Sequence, residues 1–311
     1  MKHLLKLLDL SKEEITELLD LADRLKAETK AGVEHHILKG KTLGMIFEKS
    51  STRTRVSFET GMYQLGGHAL FLSSRDLQIG RGEPVEDTAR VLSRYLDGIM
   101  IRTFAQEEVE TLARVGSIPI INGLTDFCHP CQVLADLQTV REYKGRIEGL
   151  NMCYIGDGNN MANSLIVGFL KMGAHVSIAC PKAYQPDAQV LSFTEQYPGK
   201  FFMTESPEEA AKDADVIFTD VWASMGQEEE KAVREKAFRG YQINAELLAK
   251  AHLGCMVQHC LPAHRGEEIS TALFEQHADA IFDEAENRLH VQKAVLAVLP
   301  AGEEKSVLFP P

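Results

Sequence analysis

Ser51-Thr52-Arg53-Thr54-Arg55 gathers three hydroxyls and two guanidinium groups into five consecutive residues. At the start of a helix such a set can bind an anion. The first helical turn leaves its N–H groups unpaired and carries partial positive charge. The hydroxyls add donors, and Arg53 adds a planar fork with a permanent charge. A capped helix with a solvated basic first turn would use the same residues. Cations at a helix N-terminus oppose the helix dipole, however, so an anion, phosphate above all, accounts for the arginines better.

Other segments are chemically suggestive. Cys128-His129-Pro130-Cys131-Gln132 has the Cys-x-x-Cys spacing of a redox dithiol or of half a zinc site. No second Cys-x-x-Cys completes a zinc set, His259-Cys260 is a weak complement, and the pattern of a thioredoxin-like unit is missing around it. Gly156-Asp157-Gly158-Asn159-Asn160 follows an apolar run as a dinucleotide-binding turn would. Met161 stands where the third glycine is due, and Ala179-Cys180-Pro181 stands where a ribose-binding carboxylate should end the next strand. Asp220-Val221-Trp222-Ala223-Ser224-Met225-Gly226 sets a carboxylate and a hydroxyl in a glycine-containing loop. His259-Cys260-Leu261-Pro262 places a thiol beside an X–Pro bond that can adopt the cis form. A cysteine in such a place is usually a small buried hydrophobe.

The elements that must hold these residues read as follows. Ser11 and Glu14 fit a capping box, followed by Ile15, Leu18, Leu19, Ala22 and Leu25 at helical spacing. Short apolar runs at Leu43–Phe47, Gly98–Ile101 and Ile118–Ile121 read as strands in the first half, with a helix over Val56–Leu65 ended by Gly66-Gly67. In the second half the strands are Met152–Ile155, Val176–Ala179, Val216–Phe218 and Met256–Val257. Helical patterns lie between them at Asn163–Met172 and Pro207–Lys212, and residues 286–296 are also helical. Strands alternating with helices imply an α/β fold of two domains, each with a central parallel β-sheet flanked by helices. Ser51, Arg102, Asn160, Asp220 and Cys260 each fall at or just past the C-terminal end of a strand, the edge where such sheets bind ligands.

A chain of 311 residues is long for one core. The break is expected near Tyr143–Gly149, after a helix starting around Pro130, giving domains over 1–143 and 144–285 and a last segment over 286–311. Acidic residues outnumber basic ones by 45 to 33, a net charge of −12 that opposes non-specific nucleic-acid binding. An anionic substrate therefore needs arginines gathered locally. No apolar run is long enough for a membrane span. Lys6 and Asp9 break the faintly signal-like start, so an ordinary helix approach is expected there. Six scattered cysteines suit reduced thiols in a cytoplasm.

Lys49-Ser50-Ser51-Thr52-Arg53-Thr54-Arg55 together with Met256–Ile269, which contains His259-Cys260-Leu261-Pro262, resembles the aspartate/ornithine carbamoyltransferase family. The resemblance covers essentially the whole chain, with the motifs in order. The Asp220-x-x-x-Ser224-Met225-Gly226 loop is similar to that of the ornithine-using branch. It implies a Rossmann-like second domain and transfer of a carbamoyl group from carbamoyl phosphate to the δ-amine of L-ornithine. The products are citrulline and phosphate, within arginine metabolism, with no metal and no cofactor. Carried over by motif, Ser51, Thr52, Arg53, Thr54 and Arg102 hold the phosphate, with Arg55 supporting, and His129, Gln132 and Arg102 orient the carbamoyl group. Cys260 contacts the reacting centre without becoming a covalent nucleophile, Leu261 offers its carbonyl, and Arg288 also reaches carbamoyl phosphate. Arg102, His129 and Cys260 are the catalytic set. Asn160, Asp220, Ser224 and Met225 take ornithine. Gln78 lies on a loop that the family extends to a neighbouring subunit of a homotrimer. The rival readings are a carbamoyltransferase for putrescine, acetylornithine or aspartate, and an NAD-binding α/β protein.

Overall fold

Ser11 opens the first helix as its sequence dictates. Its hydroxyl accepts the Glu14 N–H at 3.1 Å while the Glu14 carboxylate accepts the Ser11 N–H at 3.0 Å. The helix α1 (Lys12–Lys30) then buries Ile15, Leu18, Leu19, Ala22 and Leu25. The computed structural model describes residues 1–224 and 228–299. Their contacts divide them into two units, one of Met1–Ala135 with the described residues from Asn287 onward, the other of Asp136–Glu286. The divisions fall inside two helices, α5 (Pro130–Lys144) and α12 (Ala278–Val298), rather than at the glycine-bearing stretch after α5.

The first unit holds β1 (Thr42–Phe47), α2 (Thr52–Gln64), β2 (His68–Ser73), α3 (Val85–Leu92), β3 (Gly98–Arg102), α4 (Gln106–Val115) and β4 (Ile120–Leu124). Its four strands run parallel in the order β2-β1-β3-β4. Phe47 pairs with Arg102 and Arg102 with Leu124, so the strand ends that lead to Ser51, Arg102 and His129 line up on one edge. The register slips between Ile101 and Arg102, where a Cβ on Gly123 would meet the Met100 sulfur at 2.6 Å. A bulge of this kind re-aims a side chain at the end of a strand. Residues 3–5 cover the free edge of β4, Leu4 pairing with Ile121. Ile46, Ile99, Ile101, Val109, Leu112 and Ile120 form the core between sheet and helices.

The second unit holds β5 (Asn151–Ile155), α6 (Asn160–Lys171), β6 (His175–Ala179), α7 (Ala188–Thr194), β7 (Phe201–Thr204), α8 (Pro207–Ala211), β8 (Val216–Thr219), α9 (Lys231–Ala237), α10 (Ala245–Leu248), β9 (Met256–His259) and α11 (Thr271–Gln276). Its parallel strands order as β7-β6-β5-β8-β9, reversing direction of growth at β5. Ligands of doubly wound sheets bind outside such a reversal. The turns after β5, β8 and β9 carry Asn160, Asp220 and Cys260. No described helix is long and apolar enough to cross a membrane.

Candidate active site

The helix α2 begins inside the arginine-rich motif, four residues before the apolar pattern suggests, because Ser51 caps it. The Ser51 hydroxyl oxygen accepts the Thr54 N–H at 3.2 Å and donates to the Thr54 hydroxyl at 3.0 Å. Thr52, Arg53 and Thr54 thereby occupy the first turn, the positively polarised end of a helix that suits an anion. Arg55 is directed elsewhere, donating to Glu59 at 3.0 Å and lying over the Phe71 ring at 3.7 Å.

Arg288 reaches this helix start from α12. It donates to the Thr54 hydroxyl at 2.8 Å and to the Gln132 amide oxygen at 3.1 Å, joining two motifs far apart in sequence. Arg102, Thr54, His129, Gln132 and Arg288 are all buried. Burial, and then Arg288, Arg102 and Arg53 in that order, hold the His129 imidazole well below its ordinary range. His129 is therefore neutral at physiological pH, a hydrogen-bonding group rather than a further cation. The first unit thus concentrates three guanidinium groups about one neutral imidazole at a helix N-terminus, in a chain whose net charge is negative. Lys49, buried and paired with Asp126, stands at the same strand end over the Phe104 ring. Its place beside the motif was its only sequence signal. Gln78 is exposed on the loop after β2, and no hydrogen bond joins its side chain to this cluster among the described residues.

The second unit brings together a different set. The Asp220 carboxylate accepts the Val221 N–H at 2.8 Å, the Asn159 amide at 2.8 Å and the Cys260 thiol at 3.2 Å. Asn159, absent from the sequence-based site, also caps α6 by accepting the Met161 and Ala162 N–H groups. The signal for it was its cap position before an apolar helix. Asn160 starts α6 beside it. Burial, then Asp220, Glu284 and Asp136, push the Cys260 thiol well above its ordinary range. It is a neutral donor here, not a nucleophilic thiolate. The Leu261–Pro262 bond is cis, and Leu261 takes a left-handed φ of 58°. Its N–H donates to His259 Nδ1 at 2.9 Å, while His259 Nε2 faces the buried Glu268 carboxylate at 3.0 Å. Asp220, His259 and Cys260 place one ligand atom each within 4.8 Å of one another. Each is already engaged with protein donors or acceptors.

Trp222, two residues before Ser224, is anchored in the second unit. Trp222 stacks on Phe238, and Arg234 donates to the Trp222 carbonyl at 3.0 Å and the Asp157 carboxylate at 2.7 Å. Burial raises Asp157 to about 6 against the pull of Arg234. Met225, expected beside ornithine, lies outside the described residues.

Two alternative readings lose their ground. A Cβ on Gly158 would come within 2.3 Å of Gln185 and Pro186 backbone atoms, so the segment 184–186 occupies the space a dinucleotide pyrophosphate needs. The Cys128 and Cys131 thiols are buried and pushed up to about 12, unlike those of a redox pair.

Comparison with known proteins agrees with this geometry. A family model described as the aspartate/ornithine carbamoyltransferase carbamoyl-P binding domain matches residues 2–142, and the Asp/Orn binding domain of the same family matches residues 148–299. An ornithine carbamoyltransferase of Syntrophotalea carbinolica is 60% identical over 300 residues, 96% of this chain and 99% of the relative. One from Thermococcus kodakarensis is 52% identical over 305 residues, covering 97% of each. The solved ornithine carbamoyltransferase of Pyrococcus furiosus superposes with a TM-score of 0.92 at 50% identity, covering 97% of both chains.

Proposed function

The chain belongs to the aspartate/ornithine carbamoyltransferase family, and from that premise we propose that it transfers the carbamoyl group of carbamoyl phosphate to the δ-amine of L-ornithine. The products are L-citrulline and phosphate. The observation that carries the reading is the gathering of Arg53, Arg102 and Arg288 around neutral His129 at the capped start of α2.

In this reading the first turn of α2, with Ser51, Thr52, Arg53 and Thr54, binds the phosphate together with Arg102 and Arg288. His129, Gln132 and Arg102 direct hydrogen bonds at the carbamoyl oxygen. The neutral δ-amine attacks the carbonyl carbon, and the oxygen acquires negative charge in the tetrahedral intermediate. Donors fixed in advance at that oxygen stabilise it. Collapse breaks the bond to the phosphate oxygen, and the departing phosphate takes the amine proton. Positioning and oxyanion stabilisation then supply the catalysis.

Asn160, Asp220 and Ser224 serve the amino-acid end of ornithine, Asp220 pairing with the α-ammonium. The charge on Asp220 favours ornithine over putrescine, which lacks that group, and over acetylornithine, in which it is neutralised. An aspartate substrate would call for further cations instead. Cys260 lies beside the reacting amine as a thiol, and Leu261 offers its carbonyl. We place the enzyme in the cytoplasm as a homotrimer serving arginine metabolism, with the Gln78 loop reaching a neighbouring subunit.

Incubating the purified protein with carbamoyl phosphate and, separately, ornithine, acetylornithine, putrescine or aspartate tests the assignment. Carbamoylated product from ornithine alone is expected. Product from another amine in preference to ornithine, or from none, overturns it.

A further inference from the structure

The residues just before His129 form a tight turn with its own hydrogen bonds. Thr125 N–H donates to the Cys128 carbonyl at 2.9 Å, and Cys128 N–H donates to the Thr125 hydroxyl at 3.2 Å. This closed turn delivers the chain into His129 and the first turn of α5. The Asn122 amide reaches the Cys128 sulfur at 3.3 Å, and Gln106 holds the turn from outside. The Gln106 amide oxygen, at the start of α4, accepts from the Thr125 hydroxyl at 2.8 Å, from the Asn122 amide at 3.2 Å and from the Cys128 thiol at 3.5 Å. Its amide nitrogen points to the Leu5 carbonyl at 3.4 Å, and that carbonyl also takes the Asn122 amide at 2.8 Å and the Cys128 thiol at 3.5 Å. Cys131 completes the set by donating to the Asn122 carbonyl at 3.4 Å. Asn122 and Thr125 are fully buried, and Gln106 is half-buried.

We propose that Gln106 is a positioning residue for His129, with the two cysteines of Cys128-x-x-Cys131 acting as hydrogen-bond donors that tie its turn to β4. The three groups facing the Gln106 oxygen are all donors, so acceptance is its main part there, the longer bond from its amide nitrogen to Leu5 being secondary. An oxygen has two lone-pair directions, which makes the Thr125 and Asn122 bonds the strong ones and the thiol the weak third. Removing the acceptor frees the turn while leaving the α2 first turn and its arginines in place. A small displacement of a group aimed at the developing oxyanion costs rate far more than it costs ground-state binding. The inference rests on the reading in which His129 orients the carbamoyl group.

The test compares Gln106→Met, Gln106→Glu and His129→Gln in the full-length protein, reading kcat for citrulline and the Kd of inorganic phosphate. Gln106→Met is expected to lower kcat on the order of tenfold while phosphate Kd stays within about twofold. Gln106→Glu, which still accepts, restores kcat to within about threefold of wild type. Gln106→Lys reaches the turn but cannot accept, carries the same expectation as the methionine variant, and replaces it should that variant not fold. Wild-type kcat in these variants beside an impaired His129→Gln overturns the role of Gln106 alone. A parallel loss of phosphate affinity, or no rescue by glutamate, also overturns it. Wild-type kcat in His129→Gln overturns the underlying assignment of His129 instead.

Discussion

Cys260 and His129 show how far neighbours decide what a side chain can do. Cysteine and histidine are the usual nucleophile and base of covalent catalysis. Here burial and nearby carboxylates keep the thiol protonated, and burial with three arginines keeps the imidazole neutral. The His129 shift has a consequence for stability. Its folded pKa lies below the ordinary 6.5, so between the two values the unfolded chain binds more protons than the folded one. The stabilisation is complete above that ordinary value and is lost as pH falls through it. His129→Gln should therefore flatten the pH dependence of the urea midpoint below about pH 6.5, removing up to about 1.4 kcal/mol per pH unit. Identical slopes for variant and wild type would exclude the effect. Asp220 makes a second case. Asp220→Ala removes a carboxylate fixed by three donors. Losing a buried charge partner costs about 2–5 kcal/mol of binding, so the apparent KM for ornithine should rise roughly 30-fold or more. The KM for carbamoyl phosphate should stay put. A kinetic run varying each substrate in turn checks both, and an unchanged ornithine KM rejects the pairing.

Elements were legible where burial left a pattern. The strands β1, β3, β5, β6, β8 and β9 are buried along most of their length and read as short apolar runs. The edge strands β2 and β7 are absent from the sequence reading: their apolar runs, Ala69–Leu72 and Phe201–Met203, are short, show no alternation to fix their type, and are only partly buried in the fold. Strand order was also beyond reach, since periodicity carries no information about which strand lies beside which. The same limit hid the partners of the site. Ser51, Arg102, Asp220 and Cys260 announce themselves by type and place, whereas Asn159 beside Asp220 and Gln106 beside Thr125 follow from packing. Gly158 is instructive because its Gly-x-Gly setting suggests a dinucleotide turn that Met161 and Ala179-Cys180-Pro181 already oppose, while what approaches it in the fold is the protein's own backbone. Backbone atoms of the segment 184–186 fill that space, and Gly158 N–H donates to the Tyr184 carbonyl at 2.9 Å. Gly158→Ala should destabilise the second unit by about 1–3 kcal/mol or more, because backbone cannot rotate away as a side chain can. Urea unfolding measures it, and a midpoint within error of wild type would show that the segment yields freely.

For the whole molecule the arginine cluster opposes the charge around it. A net charge of −12 opposes phosphate binding in general, and Arg53, Arg102 and Arg288 gathered about His129 counter it locally, which suits a selective anion site and not a nucleic-acid surface. The first unit also presents large apolar side chains to solvent: Val56 and Tyr63 on α2, Leu70 and Phe71 on β2, Val91 on α3 and Tyr95 after it. An edge strand flanked by exposed apolar residues is a surface that another chain can cover. The Gln78 loop leaves the end of this same strand, exposed and unattached by its side chain to its own cluster. If the chain forms the proposed three-fold ring and every subunit passes its loop to one neighbour, each site would take Gln78 from one chain and Arg102 from another. Gln78→Ala and Arg102→Ala proteins should then be nearly inactive alone. Losing one donor at a developing oxyanion costs about 10²–10³ in kcat, which covers Arg102. Dissociated, mixed one to one and reassembled, the two should recover about a quarter of the wild-type rate, the fraction of sites that draw an intact loop and an intact arginine from different subunits. Recovery cannot occur if each chain completes its own site, so a mixture no more active than its components refutes the shared loop. A sedimentation profile of a strict monomer with full activity would refute the ring as well.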